Sequence, residues 1–294
     1  MARNRTLDEP PSSDAEKRLK PAEPRHGVAR GEAITSSDNR WLKRFRRALR
    51  QAEASEDGLV GIEGARLVED ALSSRIEVAA LLVSPAGQNH LGRLRTLLPP
   101  DARLLRTTDR LFAGVADTQT PQGIAALVRP RVTQFDDLVR GLALVVILAG
   151  VQDPGNVGTI LRSAEAFGAS GVIATKGTAH PFSPKALRAS AGSALRLPLF
   201  CGLTLPVVLA QLRMAGLRLY AASLRGTLPP ARANLRVPSA LIIGNEGAGL
   251  PADVERSVDA VLQIPIEAPV DSLNAAVAAS VLLYEAARQR SPLD

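Results

Sequence analysis

Three segments of this chain hold the side chains that could do chemistry. In the first, Gln152-Asp-Pro-Gly-Asn156-Val-Gly-Thr-Ile-Leu-Arg162-Ser-Ala-Glu165, the turn chemistry of Asp153-Pro-Gly leads into a helix. Asn156 stands where the chain enters that helix, a favoured N-cap position, and Arg162 follows more than a turn later with a permanent charge and a fork of donors. Read alone, the segment is equally an ordinary capped helix with a surface arginine. The second segment is Leu241-Ile-Ile-Gly244-Asn245-Glu246-Gly-Ala-Gly249-Leu-Pro251. Its glycines let a ligand approach the backbone closely. It is neither G-x-G-x-x-G nor G-K-[ST], and the Glu246 carboxylate would repel phosphate, so it reads poorly as a nucleotide-phosphate loop. The third is Ile264-Pro-Ile266-Glu-Ala-Pro-Val-Asp-Ser272-Leu273-Asn274-Ala-Ala-Val. Here a strand ends, and Asp271 or Ser272 can cap the last helix. Asn274 is then expected in the first helical turn, where asparagine is a poor helix former. The plain alternative is a packed C-terminal helix or an oligomer face.

Each segment follows a strand-like apolar run. Leu142–Leu148 is almost uninterrupted, as expected of a strand covered on both faces. Similar runs recur at Gly171–Ala174, Leu217–Ala222, Ala240–Ile243 and Ala260–Ile264. Helical stretches lie between them at Val157–Phe167, Pro184–Ala189, Leu205–Ala215, Pro251–Arg256 and Ser272–Arg290. This alternation predicts an α/β domain with a mainly parallel sheet over 142–294. A smaller α/β domain is expected over 55–129, with strands near Gly58, Val78–Ser84, Ala102–Thr107 and Gly123–Val128. Its helices are expected at Glu63–Leu72, Leu91–Leu98 and Asp109–Ala116, and 130–141 reads as a linker.

Residues 1–38 are polar and rich in Pro, Ser and both charges, so they are expected to stay disordered. Residues 39–54 read as a basic helix. Trp41, Phe45 and Leu49 form an apolar stripe that would dock the helix on the first domain, and Lys43, Arg44, Arg46, Arg47 and Arg50 are candidate RNA-phosphate contacts on another face; the two readings are compatible. The net charge of +7 favours a polyanionic partner, nucleic acid first. Cys201 is alone, a small filler near a strand end, and His26, His90 and His180 are scattered. This argues against a disulfide and a metal enzyme, and fits a cytoplasmic protein. No apolar run approaches the ~20 residues of a membrane span, and no signal peptide is read.

Taken together and in this order, the three segments closely resemble the motifs of the SpoU family, the TrmH-type RNA 2′-O-ribose methyltransferases of the SPOUT superfamily. Residues 58–128, with Glu63-Gly64 and Thr120-Pro-Gln-Gly123, look like that family's L30e-like substrate-binding domain; the tail and basic helix fall outside the family core. The resemblance implies a C-terminal domain with a deep trefoil knot and a homodimer with its active sites at the subunit interface. It implies S-adenosylmethionine as cofactor, bound by Gly244, Asn245, Gly249, Ile264, Ile266, Ser272 and Leu273, largely through backbone. The catalytic set it implies is Asn156, Arg162, Glu246, Ser272 and Asn274.

In such an enzyme the sulfonium is already a good leaving group and no metal is required. Arginine is effectively never neutral, so Arg162 reads as a phosphate clamp and oxyanion stabiliser rather than a base. Asn156 and Glu246 would fix Arg162 and the loops, and Ser272 and Asn274 would orient the ribose. Ribosomal RNA is the first substrate to expect. The alternatives are a tRNA 2′-O-methyltransferase and a non-catalytic RNA-binding or ribosome-assembly factor. An oxidoreductase is disfavoured by the missing G-x-G-x-x-G.

Overall fold

The computed structural model describes residues 31–51, 55 and 57–291. The expectation of disorder over 1–30 and the ends of the expected segments at 52–54 and 292–294 lie outside the described residues. The N-terminal part carries β1 (Glu32–Ala33), α1 (Arg40–Arg50), β2 (Val60–Glu63), α2 (Ala65–Ser73), β3 (Glu77–Val83), α3 (Gln88–Leu94), β4 (Arg103–Arg106), α4 (Asp109–Ala113) and β5 (Ile124–Arg129). A short α5 (Phe135–Leu138) leads to β6 (Leu144–Leu148), α6 (Pro154–Ala166), β7 (Gly171–Ala174), α7 (Pro184–Ser190), α8 (Ser193–Arg196) and β8 (Leu199–Cys201). The chain continues through α9 (Leu205–Met214), β9 (Arg218–Ala222), β10 (Ser239–Ile243), α10 (Ala252–Ser257), β11 (Ala260–Leu262) and α11 (Ala275–Arg290).

The C-terminal sheet runs β11-β9-β10-β6-β7-β8, and every pairing in it is parallel. Strand β6 explains its own apolar run. Leu144, Val146 and Leu148 join the core under α6, α7 and α11, while Val145 and Ile147 join the core under α9 and α10. Successive side chains of a strand point to opposite faces, so a strand buried on both must be apolar throughout. From β6 the chain adds strands on one side, then returns through β9 and β10 to the other. The β6 and β10 loops therefore leave the sheet where its winding reverses, the usual place for ligands in open α/β sheets.

The N-terminal sheet is mixed, in the order β1-β4-β3-β5-β2. Helix α1 closes one face of it. Trp41, Leu42, Phe45, Ala48 and Leu49 are buried with Ala80, Leu82, Ala125 and Leu127 from the strands. A side chain at Gly61 would meet the α1 backbone, with a Cβ only 2.6 Å from the Ala48 carbonyl carbon. The basic helix is thus part of this domain's core, not an appendage to it.

Several local expectations are corrected. Within the expected tail, β1 pairs with β4, and Ile34 is buried, because one apolar side chain and a free sheet edge suffice to order it. Glu63 ends a strand rather than starting a helix; α2 begins after Gly64, whose φ of 99° suits glycine. The expected linker contains α5, which carries a capping box of Gln134 and Asp137 and buries Leu138. Cys201 sits on edge strand β8 and is exposed, so it fills no core.

Candidate functional site

The first loop enters α6 through Asp153, not Asn156. Asp153 is the N-cap, accepting from the Gly155 amide at 2.6 Å, and Pro154 occupies the first helical position. Its carboxylate also accepts from Lys185 Nζ at 2.8 Å, and these bonds hold its carboxyl below the ordinary range, Lys185 contributing most. Asn156 is thereby freed from capping and lies within the first turn of α6. Its Nδ2 donates to Glu246 Oε1 at 2.9 Å, and its Oδ1 accepts from Asn274 Nδ2 at 3.0 Å.

Glu246 is turned away from any phosphate-binding role. Besides Asn156, it accepts the backbone amides of Gln152 and Asp153, each at 3.1 Å. Partial burial pushes its carboxyl up, but these hydrogen bonds more than reverse that, and it titrates below its ordinary value. Asn274 is the N-cap of α11, its Oδ1 accepting from Ala276 and Val277 amides. Neither Asp271 nor Ser272 caps that helix, and asparagine at the cap is favoured rather than odd. Through Asn274, Asn156 and Glu246, all three segments are tied together.

The second loop is a tight hairpin. Asn245 and Gly249 exchange both backbone hydrogen bonds, and Asn245 Oδ1 accepts from Gly247 and Ala248 amides at 2.9 Å. A Cβ at Gly244 would lie 2.7 Å from the Gly249 backbone, and Gly249 has a φ of 65°. Both glycines are therefore required by close approach and conformation. Asn245 Nδ2 also donates to Gly150 O, tying the hairpin to the first loop.

Between the second and third segments lies a cleft of about 440 Å³. Gly244, Asn245, Gly249, Ile264, Ile266, Ser272 and Leu273 all line it, as does Glu246. Its size is that of a small-molecule site, and its wall is mostly backbone and aliphatic side chain. Sequence reasoning missed a further wall, Ala222-Ser-Leu-Arg225 at the end of β9. The available signal was position: these residues follow a strand beside β10, at the ligand-binding end of a parallel sheet. Arg225 is the sole cation among the lining residues, held by Glu255 and by the Leu250 carbonyl.

Arg162, Asn156 and Asn274 do not line the cleft. Asn156 and Asn274 stand behind it, and the Arg162 side chain is exposed on α6 without a hydrogen bond or ion pair among the described residues, so Asn156 and Glu246 tie the loops together but, contrary to expectation, do not fix Arg162. The α1 cations behave differently. Lys43 pairs with Asp38, Arg44 with Asp57 and Arg47 with Gln51, while Arg46 and Arg50 donate to Gly114 O. Each already has an internal partner. No group of three or more His, Cys, Asp or Glu is placed to hold a metal ion, and no helix is long and apolar enough to cross a membrane, among the described residues.

Comparison with known proteins covers both parts of the chain. Residues 143–284 match the SpoU rRNA Methylase family, and residues 39–126 match the MRM3-like substrate binding domain. The second match includes α1, in keeping with its place in the core, which corrects the expectation that the basic helix falls outside the family core. The 23S rRNA (guanosine(2553)-2'-O)-methyltransferase RlmP of Bacillus subtilis (strain 168) is 32% identical over 251 residues, 85% of this chain and 97% of the relative. The AdoMet-bound rRNA methyltransferase of Sinorhizobium meliloti is 30% identical, with a TM-score of 0.75 over 87% of this chain and 97% of that one. The SpoU methyltransferase AviRb of Streptomyces viridochromogenes is 27% identical, with a TM-score of 0.76 over 86% and 98%. With nearly the whole length of these relatives matched, the chain belongs to the SpoU rRNA methylase family.

Proposed function

We propose that this protein transfers a methyl group from S-adenosylmethionine to a ribose 2′-hydroxyl of ribosomal RNA. The observation that carries the reading is the cleft between the second and third segments, in a chain 32% identical across 97% of a 23S rRNA 2'-O-methyltransferase. The cleft fits the cofactor by its volume and by a lining made largely of loop backbone and aliphatic side chains. When bound, the cofactor supplies an activated methyl group. Gly244, Asn245, Gly249, Ile264, Ile266, Ser272 and Leu273 would hold it. Glu246, Asn156 and Asn274 would fix the loops against one another. Arg162, a permanent cation, would clamp an RNA phosphate and stabilise the developing oxyanion.

Arg162 stands outside the cleft of its own chain, and this supports a homodimer in which one subunit's arginine meets its partner's cofactor. Exposed Val277, Val281 and Tyr284 on α11 supply an apolar face for that contact, with Tyr284 edge-on to Phe167 of the same chain. We read the C-terminal domain as a trefoil knot and residues 55–129 as L30e-like, a reading supported by the parallel sheet β11-β9-β10-β6-β7-β8 and the mixed N-terminal sheet, and a single cysteine accords with a cytoplasmic enzyme. Contacts of α1 with RNA would require its cations to exchange internal partners for phosphates.

Mass-spectrometric mapping of ribose methylation in ribosomal RNA, with and without the protein, tests the proposal. One 2′-O-methylated nucleotide should depend on it. Methylation confined to tRNA transcripts would overturn the substrate assignment, and failure to bind S-adenosylmethionine would overturn the enzyme.

A further inference from the structure

Two carboxylates belong to the helix that carries Arg162, and cations from the next two helices take both. Asp153 at its N-cap is bonded by Lys185 of α7. Glu165, three residues beyond Arg162, is gripped by Arg196 of α8, with Nε to Oε1 at 2.6 Å and Nη2 to Oε2 at 2.7 Å. Both side chains of this pair are 31% exposed, so it is largely sheltered from solvent. The turn between α7 and α8 passes through left-handed residues Ala191 and Gly192, with φ of 46° and 84°. Arg196 also reaches the Ala191 carbonyl and the Ser193 hydroxyl.

Residues three apart on a helix are neighbours, and opposite charges there attract. Left alone, Glu165 would pair with Arg162 and repel an approaching phosphate. The geometry points to Arg196 as a positioning residue that withdraws Glu165 from Arg162, leaving that arginine uncompensated for RNA. The inference rests on the role proposed above for Arg162. It explains why an arginine beside a glutamate on one helix face remains without an ion pair among the described residues.

The test compares Arg162→Ala, Arg196→Met, Arg196→Lys, Glu165→Gln and the Glu165→Gln/Arg196→Met double variant in the full-length protein. The readouts are kcat/KM for the RNA, S-adenosylmethionine affinity and melting temperature. Arg196→Met should lower kcat/KM about fivefold, the upper end for the exposed Arg162–Glu165 pair that would then form, with cofactor affinity unchanged. Arg196→Lys should keep most of the activity, and Glu165→Gln should be near normal. The double variant should recover most of the loss although its melting temperature stays as low as that of Arg196→Met. A double variant as impaired as Arg196→Met would overturn the inference, since the pair would then only hold α8 in place; so would full activity of Arg196→Met. Turnover by Arg162→Ala would instead remove the role of Arg162 on which the inference rests.

Discussion

Asn274 does two jobs with two ends of one amide, and a single substitution separates them. Its oxygen caps α11, and its nitrogen donates to Asn156. Asn274→Asp keeps an acceptor at the cap and removes the donor, so the melting temperature should hold while kcat falls. Asn274→Ala should do both kinds of damage, with about 1 kcal/mol of stability lost from the cap. Equal activity in the Asp variant and the native protein would make Asn274 a cap and nothing more. Glu246 gives a pH signature. Its folded carboxyl titrates below the ordinary 4.5, so its contribution to stability is complete above that value and drains away as pH falls through the lower, folded one. Melting temperature should therefore drop on acidification below about pH 4.5, and Glu246→Gln should flatten part of that drop. An unchanged pH profile in the variant would deny Glu246 its role. At this scale the sequence marked the three segments that the structure ties together, but not how their side chains meet. Pro154 marked Asp153 as the cap, since proline favours the first helical position, and that signal was available. The bonds from Asn156 to Glu246 and Asn274 were not legible, because no local rule links residues that far apart.

Among elements, the crossing of α6 on α7 sets where Asn156 and Arg162 stand. Gly158 lies at the crossing. A Cβ there would fall 2.4 Å from the Ala186 carbonyl oxygen and 2.6 Å from the Ala189 Cβ. Gly158→Ala gains helix propensity of about 1 kcal/mol, yet overpacking costs about 1–3 kcal/mol and cannot be relieved by a rotamer change. The melting temperature should fall and turnover should fall with it, as α6 is pushed from α7. A more stable Gly158→Ala protein would show that the crossing is loose. Long apolar runs such as Leu144–Leu148 made the central strands legible, because burial on both faces leaves no room for polar residues. Strand β8 and helix α8 were not legible. Each is a few residues long, and each is held by what it touches, β8 by β7 and α8 by the burial of Ala194 and Leu195 in the core under α6.

At the level of the whole molecule, the proposed dimer makes the strongest demand. Val281→Asp on the exposed face of α11 puts a charge in the middle of an apolar patch without disturbing the buried side of the helix. The variant should be monomeric by light scattering, fold normally, and lose most of its methyl transfer, because Arg162 would no longer meet a cofactor. An active monomer would overturn the shared site. Alternating strands and helices made two α/β units legible in outline. The docking of α1 was legible in its apolar stripe, but the closeness of its backbone to Gly61 was not, because that contact depends on the packing of the whole sheet.

The tie from Asn274 through Asn156 to Glu246 spans 118 residues in one step and 90 in the other. Glu246 in turn covers the amides of Gln152 and Asp153. Those two amides should therefore exchange with deuterium at a rate set by the undocking of the helix at the far end of the chain. Hydrogen exchange at the first loop becomes a local clock for closure of the last one, readable before any RNA or cofactor is added.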